Sequence, residues 1–343
     1  MGSIFSFIFG KTQSRVDNKK TNLTRKNSSS RTNNSRTRLL GPNLQNNVPI
    51  LPIHSNVQTT VRIANIPMPE IHSNEQIAKR ISPIFGFSEP ETIAFMNALH
   101  NRESIAPFFN KLPKPPIQIE DDVMSISKKS RIYVNNRNIP PRYIYKIIKI
   151  DIMEHNKIED IRNILMEAFI QAVLCTDSEV GQNICKLIHV YKDISVYPMK
   201  IILQMEYLQM TLNAYLRQPD IQTKMIHIIL PNLYNTFNIL KRKYKYENKD
   251  VHFGNFMIHN EVIKMIDFGI AKIIINTDVY ATGAYLSLKR SNTTTHSELY
   301  NIVNALQHET GKSIFKGDYK LLKTAANDNT SNSFLRILKN SDN

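Results

Sequence analysis

The sequence predicts an α+β fold in which a strand-rich part is followed by a mainly helical part. Segments rich in β-branched and aromatic residues indicate strands, and they enclose one run with helical spacing of apolar residues from Ile158 to Val173. The chain is then largely helical between Thr211 and Tyr244. The apolar fraction of 41% is ordinary for a chain with a real core. The strands are predicted at 130–134, 143–150, 188–191 and 200–205.

The first 47 residues are predicted to form a disordered basic tail. The net charge of the 343-residue chain is +15, and about half of it comes from residues 11–38, which carry nine Lys or Arg side chains against the single acid Asp17. Residues 11–47 are rich in Asn, Ser, Thr, Lys and Arg. Such a segment cannot bury enough apolar surface to offset the entropy lost on ordering.

The amino terminus carries a lipidation pattern. Residues 1–6, Met-Gly-Ser-Ile-Phe-Ser, fit M-G-x-x-x-[ST], in which Gly2 is myristoylated after Met1 is removed. One myristoyl chain anchors a protein only marginally, and the polybasic segment directly downstream adds an electrostatic attraction to anionic lipid. We therefore expect attachment to the cytoplasmic face of a membrane.

Three other classes of leader or tail compete as interpretations of the same residues. A secretory signal carries its positive charge before the apolar stretch and not after it, which excludes that class. A mitochondrial presequence forms an amphipathic helix, and residues 11–38 hold too few apolar side chains for one. A basic tail that binds nucleic acid nonspecifically stays open as an alternative.

The two cysteines, Cys175 and Cys185, lack CxxC spacing and favour a reduced, intracellular location. No apolar run reaches the roughly 18 residues of a membrane span.

A Pro-rich connector and a short helical extension are predicted at 48–122. Ser73 with Gln76 resembles a capping box, and Ser88 opens a second helical run. A cluster of prolines that begins at Pro113 closes the region. We expect an extension of the domain that follows and not a separate catalytic domain.

The residues that carry chemistry lie in Asp250-Val-His-Phe-Gly-Asn255 and in Asp267-Phe-Gly. Two short apolar strands between them flank the turn-like residues 259–261, which predicts a β-hairpin. A hairpin brings its two ends together, so Asn255 and Asp267 can share metal ions while Asp250 reaches an attacking hydroxyl. Two acids and an amide at this spacing are suited to phosphoryl transfer from a nucleoside triphosphate.

These motifs resemble the protein kinase superfamily, which combines D-x-x-x-x-N with a downstream D-F-G. The resemblance implies a bilobal fold with a small antiparallel β-sheet lobe and a mainly helical lobe. It implies that Asp250 is the catalytic base, that Asn255 and Asp267 are magnesium ligands, and that Phe268-Gly269 is the hinge of an activation segment. ATP and Mg²⁺ are the cofactors that the resemblance implies.

The resemblance also assigns an ion pair that would hold the nucleotide. Lys149 is similar to the strand lysine that binds the α- and β-phosphates, and Glu167 is similar to the helix glutamate that pairs with it. Lys146 lies on the opposite face of the same strand, because side chains alternate along a strand. Only one of the two lysines can serve, and the prediction is Lys149.

Two further nucleotide contacts follow from the resemblance. Met205-Glu206-Tyr207-Leu208 resembles the linker between the lobes, where adenine would bond to backbone groups from Glu206 to Leu208. The glycine-rich phosphate loop of the family is missing, and Ser127 and Ser130 stand where glycines would let the backbone approach the phosphates.

Departures from the family pattern leave other functions open. Asn248-Lys249 replaces the His-Arg that precedes the base, so activation through a phosphorylated loop is not expected. His252 follows Asp250 by two residues, as it does in kinases of small molecules such as the aminoglycoside and choline kinases. The alternatives are a catalytically weak pseudokinase that acts as a scaffold and a small-molecule phosphotransferase.

The sequence thus predicts a divergent, membrane-tethered kinase that uses ATP and Mg²⁺ to phosphorylate Ser/Thr hydroxyls of protein substrates. The kinase-like domain is predicted at 123–330, with an N-lobe at 123–206, a C-lobe at 207–330 and a C-terminal tail at 331–343. The chain also resembles divergent kinases of large DNA viruses. This resemblance implies a virion membrane as a further location.

Overall fold

The structure is a computed structural model that describes residues 73–116, 123–126, 130–134, 142–150, 157–195, 197–217, 221–289, 297–309, 319–328 and 333–340. The predicted basic tail with Gly2, and also Ser127, lie outside these residues. Within the described part of the chain, no helix is long and apolar enough to cross a bilayer.

Three short helices open the described chain: α1 (Asn74–Phe85), α2 (Glu89–His100) and α3 (Ala106–Lys111). Ser73 and Ser88 cap the first two helices, each in a capping box with the residue three positions further on. Gly86 ends α1 with a φ of 69°, a left-handed conformation that glycine adopts at little cost. Both helices therefore begin where their sequence predicts.

An antiparallel sheet follows, made of β1 (Val123–Ile126), β2 (Ser130–Val134), β3 (Tyr143–Ile150), β4 (Leu187–Asp193) and β5 (Met199–Glu206). The strands lie in the order β1-β2-β3-β5-β4. One long helix, α4 (Lys157–Cys175), comes between β3 and β4 in sequence and packs on the sheet. All four predicted strands and the predicted helix are present.

The remainder is mainly helical. Its helices are α5 (Leu212–Tyr215), α6 (Ile221–Lys224), α7 (Leu230–Tyr244), α8 (Gly283–Lys289), α9 (Glu298–Glu309), α10 (Tyr319–Asp328) and α11 (Ser333–Asn340), and a π-helical turn, Met225–Ile229, joins α6 to α7. Its short strands are β6 (Met210–Thr211), β7 (Glu247–Asn248), β8 (Phe256–His259), β9 (Val262–Met265), β10 (Ala271–Ile275) and β11 (Asp278–Ala281). They form two small sheets, β6-β8-β9 and β11-β10-β7. This mixed α/β architecture is consistent with a bilobal, kinase-like fold and confirms the predicted fold class.

One apolar core runs through the described chain from end to end. It includes Phe95 of α2, Phe169 of α4, Phe237 of α7 and Phe334 of α11, which are each at most 1% exposed. Helix α11 falls in the segment predicted as a tail, yet Phe334 stacks on Tyr234 with ring centroids 5.2 Å apart. The short helices at both ends of the described chain are therefore part of the same folded unit.

Candidate active site

A buried ion pair joins the sheet to α4. Lys146 Nζ of β3 lies 2.6 Å from Glu167 Oε1 of α4, and the two residues are 1% and 8% exposed. Burial acts to lower the pKa of Lys146, but the nearby carboxylates of Glu167 and Asp267 outweigh it and raise that pKa. Lys146 is therefore held as a cation where β3, α4 and the Asp267 motif meet.

The prediction of Lys149 as the partner of Glu167 is wrong. Lys146 shares its face of β3 with Ile144 and Ile148, which belong to the same core as α4, whereas Lys149 is exposed on the other face. The sequence alone does not make this choice. Lys146 has an isoleucine two residues away on each side, but the face that bears Lys149 is also apolar, with Tyr145 and Ile147.

The predicted catalytic loop forms one compact turn. Asn255 Nδ2 donates to the carbonyl oxygen of Asp250 at 2.6 Å, and the Asn255 N–H donates to the carbonyl oxygen of His252 at 2.9 Å. Asn255 is 3% exposed, whereas the Asp250 side chain is 24% exposed. Because Nδ2 is used within the loop, Oδ1 is the amide atom of Asn255 that is suited to a metal ion.

The predicted hairpin is present and brings Asn255 close to Asp267. Asn255 immediately precedes β8, and its carbonyl oxygen accepts the N–H of Ile266, which follows β9, at 2.9 Å. Asp267 has a φ of 63°, in the left-handed region that aspartate tolerates better than most residues, and its Oδ1 accepts the N–H of Gly269 at 3.1 Å. The open end of the hairpin therefore carries both predicted metal ligands.

The Asp-Phe-Gly motif also lies against the ion pair. A Cβ atom added to Gly269 would lie 3.1 Å from Asp267 Oδ1 and 3.6 Å from Glu167 Oε2, so the space beside this glycine is lined by both acids. Phe268 is fully buried and packs edge-on against Tyr246, with ring centroids 6.5 Å apart. The sheet, α4 and the motif after β9 thus meet at one point.

Asn248 and Glu298, which sequence reasoning did not assign to the site, anchor the catalytic loop. Asn248 Oδ1 accepts the N–H of Asp250 at 2.8 Å, and Asn248 Nδ2 donates to Tyr246 Oη at 3.0 Å. The Asn248 N–H donates to Glu298 Oε1 at 3.1 Å, and burial raises the pKa of this glutamate at the start of α9. The available signal was an amide side chain two residues before Asp250, a spacing at which asparagine bonds its own backbone.

His252 faces the predicted base. Its Nδ1 accepts the N–H of Gly254 at 3.0 Å, which leaves the proton of the neutral ring on Nε2. Nε2 lies 3.7 Å from Asp250 Oδ1. The ring is thus fixed with its N–H beside the carboxylate that would meet the attacking hydroxyl.

The predicted linker lies where β5 ends. Glu206 donates its N–H to the Lys186 carbonyl oxygen at 3.0 Å, and its carboxylate accepts the Lys186 N–H at 2.7 Å and Lys264 Nζ at 2.8 Å. Leu208 is 3% exposed.

Ser130, the described residue of the predicted phosphate-loop positions, lies in β2 and is 2% exposed, so its side chain is enclosed and does not face open solvent.

A glutamine closes the space behind the linker. Gln171 lies one helical turn after Glu167 on α4 and is 3% exposed. Its Nε2 donates to the Cys185 carbonyl oxygen at 2.9 Å and lies 3.6 Å from Met205 Sδ. Met205 precedes Glu206, so the linker begins against a buried amide.

The residues present fit the implied cofactors. Among the described residues, no group of three or more His, Cys, Asp or Glu side chains is arranged to hold a metal ion. Mg²⁺ does not need such a cage, because it is usually bound by one or two protein ligands together with substrate phosphates and water. Asn255 and Asp267 could supply oxygen ligands of this kind, and Lys146 could supply a cation for phosphate.

Known proteins share little sequence with this chain. No protein-family model matches it, and no curated protein matches it. Among solved structures, it is similar to one described as "Titin kinase and its flanking domains", with a TM-score of 0.35 and 11% identity, over 44% of this chain and 26% of that chain. The chemistry of the site residues therefore has to support any function by itself.

Proposed function

We propose that this protein transfers the γ-phosphoryl group of ATP to Ser/Thr hydroxyls of proteins in a Mg²⁺-dependent reaction. The observation that carries the proposal is the buried pair of Lys146 and Glu167, 2.6 Å apart, beside Asp267. A lysine paired with a helix glutamate, next to an acid that can hold magnesium, is the arrangement that phosphoryl transfer from ATP requires in protein kinases.

Each residue of the site has a separate task in this reaction. Lys146 binds the α- and β-phosphates, and Glu167 fixes its side chain. Asn255 and Asp267 would hold Mg²⁺, which when bound would neutralise the charge that develops on the phosphate oxygens. Asp250 orients the substrate hydroxyl and accepts its proton while the hydroxyl oxygen bonds to the γ-phosphorus. The bond from that phosphorus to the β–γ bridging oxygen breaks, and ADP leaves.

The test is transfer of label from radiolabelled ATP to generic protein substrates by the full-length protein in the presence of Mg²⁺. Asp250→Asn keeps the volume of the side chain but removes the base, so we expect transfer to fall by about 10²-fold or more. Asp267→Asn weakens the metal site and has a similar effect. Glu261→Gln, an equivalent change at an exposed acid in the β8–β9 turn, serves as the control and leaves transfer unchanged.

Two outcomes would replace the proposal. Nucleotide binding without transfer to any protein would make the chain a pseudokinase scaffold. Transfer to an aminoglycoside or choline, with none to proteins, would make it a small-molecule phosphotransferase. The observation that favours this second candidate is His252, whose Nε2 lies 3.7 Å from Asp250 Oδ1, in the position where that class of kinase also carries histidine.

The proposal includes a place of action at the cytoplasmic face of a membrane. Its support is the sequence pattern alone, because Gly2 and the polybasic segment lie outside the described residues. Intact-mass measurement after expression in a eukaryotic host should show loss of Met1 and a myristoyl group on Gly2. An unmodified terminus would remove the anchor and leave nonspecific nucleic-acid binding as the role of the tail.

A further inference from the structure

Helix α4 is the element on which the ion pair of the site depends, because Glu167 reaches Lys146 only while α4 lies close to β3. Successive residues of an α-helix are about 100° apart around its axis. Phe169, two residues after Glu167, therefore points to the opposite side of α4. One side of the helix faces the ion pair, and the other is available to hold the helix in place.

The N-terminal helix α2 occupies the side of α4 that bears Phe169. Phe95 of α2 packs edge-on against Phe169, with ring centroids 6.3 Å apart. Phe169 packs in turn on Tyr280 of β11, with centroids 4.7 Å apart. All three residues are 0% exposed. A buried cluster of three aromatic rings thus joins α2, α4 and the β10–β11 hairpin, which follows the Asp-Phe-Gly motif.

Polar contacts tie the same extension to both ends of α4. Arg102, which follows α2, pairs with Glu159 in the first turn of α4 at 2.7 Å. Arg80 of α1 donates to the Thr176 carbonyl oxygen at 3.4 Å and lies 3.9 Å from Asp177, just beyond the end of α4. Exposed ion pairs contribute little energy singly. Contacts at both ends and in the middle nevertheless fix the orientation of the helix.

Helices α2 and α4 also hold the β10–β11 hairpin and the start of α8. The ring of His100, the last residue of α2, lies with Nε2 3.6 Å from Asp278 Oδ1 and with Nδ1 3.4 Å from the Val279 carbonyl oxygen. Asn163 Oδ1 of α4 accepts the N–H of Gly283, the first residue of α8, at 2.8 Å. The segment after Asp267-Phe-Gly is therefore fixed by contacts to α2 and α4.

We propose that α1 and α2 are positioning elements of the active site, which hold α4 and the β10–β11 hairpin so that Glu167 stays on Lys146. The extension itself then supplies the contacts that keep the pair closed. The catalytic consequence rests on the proposed function, whereas the effect on α4 does not.

The first test measures hydrogen exchange of the α4 amides in the full-length protein. Phe95→Ala removes the contact with Phe169, and we expect exchange within α4 to speed up by about tenfold or more, as for a segment that opens locally. Phe334→Ala is the matched control, because Phe334 is an equally buried phenylalanine that stacks on Tyr234 and belongs to α11. Equal acceleration of α4 exchange in the two variants would overturn the proposal.

The second test is kinetic. Phe95→Ala should lower kcat/KM for ATP by about tenfold in the wild-type background and should have no further effect in a Glu167→Gln background, where the pair is already lost. Equal losses in both backgrounds would mean a merely structural role. If Phe95→Ala does not fold, Phe95→Leu, which removes the ring contact with Phe169 but leaves a smaller cavity, replaces it in both tests. A wild-type protein that transfers no phosphate defeats the proposed function, and the exchange comparison still decides the positioning role.

Discussion

At the scale of single residues, the site depends on which of two lysines in β3 faces α4. Lys146→Met should reduce phosphoryl transfer by about 10²-fold or more, because it removes the cation to which the proposed function assigns the phosphates and leaves Glu167 buried without its partner. Lys149→Met is the matched control and should change the rate by no more than about twofold, as expected for an exposed side chain. The measurement is kcat/KM for ATP. Similar losses in both variants would contradict the assignment of Lys146.

Gln171 leads to a prediction about ligands that compete with ATP. Under the proposed function, ATP binds beside the linker, and a compound that extends from there past Met205 would displace the Gln171 amide from the Cys185 carbonyl, where an unsatisfied buried carbonyl costs about 1–3 kcal/mol. Such extended inhibitors should bind about tenfold or more weakly than compounds confined to the adenine region. Gln171→Leu has no hydrogen bond to lose, so it should reduce the difference in affinity between the extended and the unextended compounds. Inhibition constants for one matched pair of compounds measure it, and an unchanged ratio in the variant would refute this account.

At the scale of elements, a buried acid joins the end of α4 to the end of α7. The Asp177 side chain is 0% exposed and accepts hydrogen bonds from Tyr244 Oη at 2.6 Å and from Lys243 Nζ at 2.9 Å. Burial acts to raise the pKa of Asp177, but these hydrogen bonds outweigh it and lower the pKa from 3.8 to about 2. A carboxyl with a lowered folded-state pKa stabilises the fold above its unfolded-state pKa.

The stabilisation from Asp177 should therefore be complete near neutral pH and disappear as the pH falls from about 4 to about 2. Asp177→Asn should cost about 2 kcal/mol of unfolding free energy at pH 7, with a smaller difference from wild type below pH 4. Glu179→Gln, at the exposed partner of Lys243, is the control and should cost less than about 1 kcal/mol. Urea unfolding at a series of pH values measures both. A difference that stays constant with pH would disprove this role of Asp177.

The sequence predicted those elements whose pattern is local. Four of the five strands of the large sheet, α4, the capped starts of α1 and α2, and the β8–β9 hairpin all follow from the spacing of apolar residues and from turn or cap residues nearby. The choice between Lys146 and Lys149 did not follow, because alternation separates two faces but the fold decides which of them meets α4. The β10–β11 hairpin was missed, although the β-branched run Ile273-Ile-Ile275 is typical of a strand. Its partner strand β7 is only two residues long and gives no sequence signal.

At the scale of the whole molecule, the last described helix, α11, contributes the buried side chains of Phe334 and Leu338 to the same core as the central helices. Phe334→Ala should reduce the free energy of unfolding by about 3–5 kcal/mol, because it opens a cavity beside Tyr234 in a fully buried position. Arg336→Ala, on the exposed side of α11, should change it by no more than about 0.5 kcal/mol. Chemical denaturation compares the two variants. A loss below about 1 kcal/mol for Phe334→Ala would show that α11 does not hold the fold together.

The continuous core has a practical consequence for producing the protein. A fragment cut to 123–330, the limits that the motifs alone suggest, lacks α1, α2, α3 and α11, so the surfaces around Phe169 and Tyr234 lose their cover. Apolar patches of several hundred Å² on a soluble chain promote self-association. We expect such a fragment to elute as aggregate in size-exclusion chromatography, and a chain that spans 73–340 to elute as a discrete species. The shortest fragment that folds is thus set by the packing of Phe169 and Tyr234 against the terminal helices, and its boundaries lie well outside the catalytic motifs.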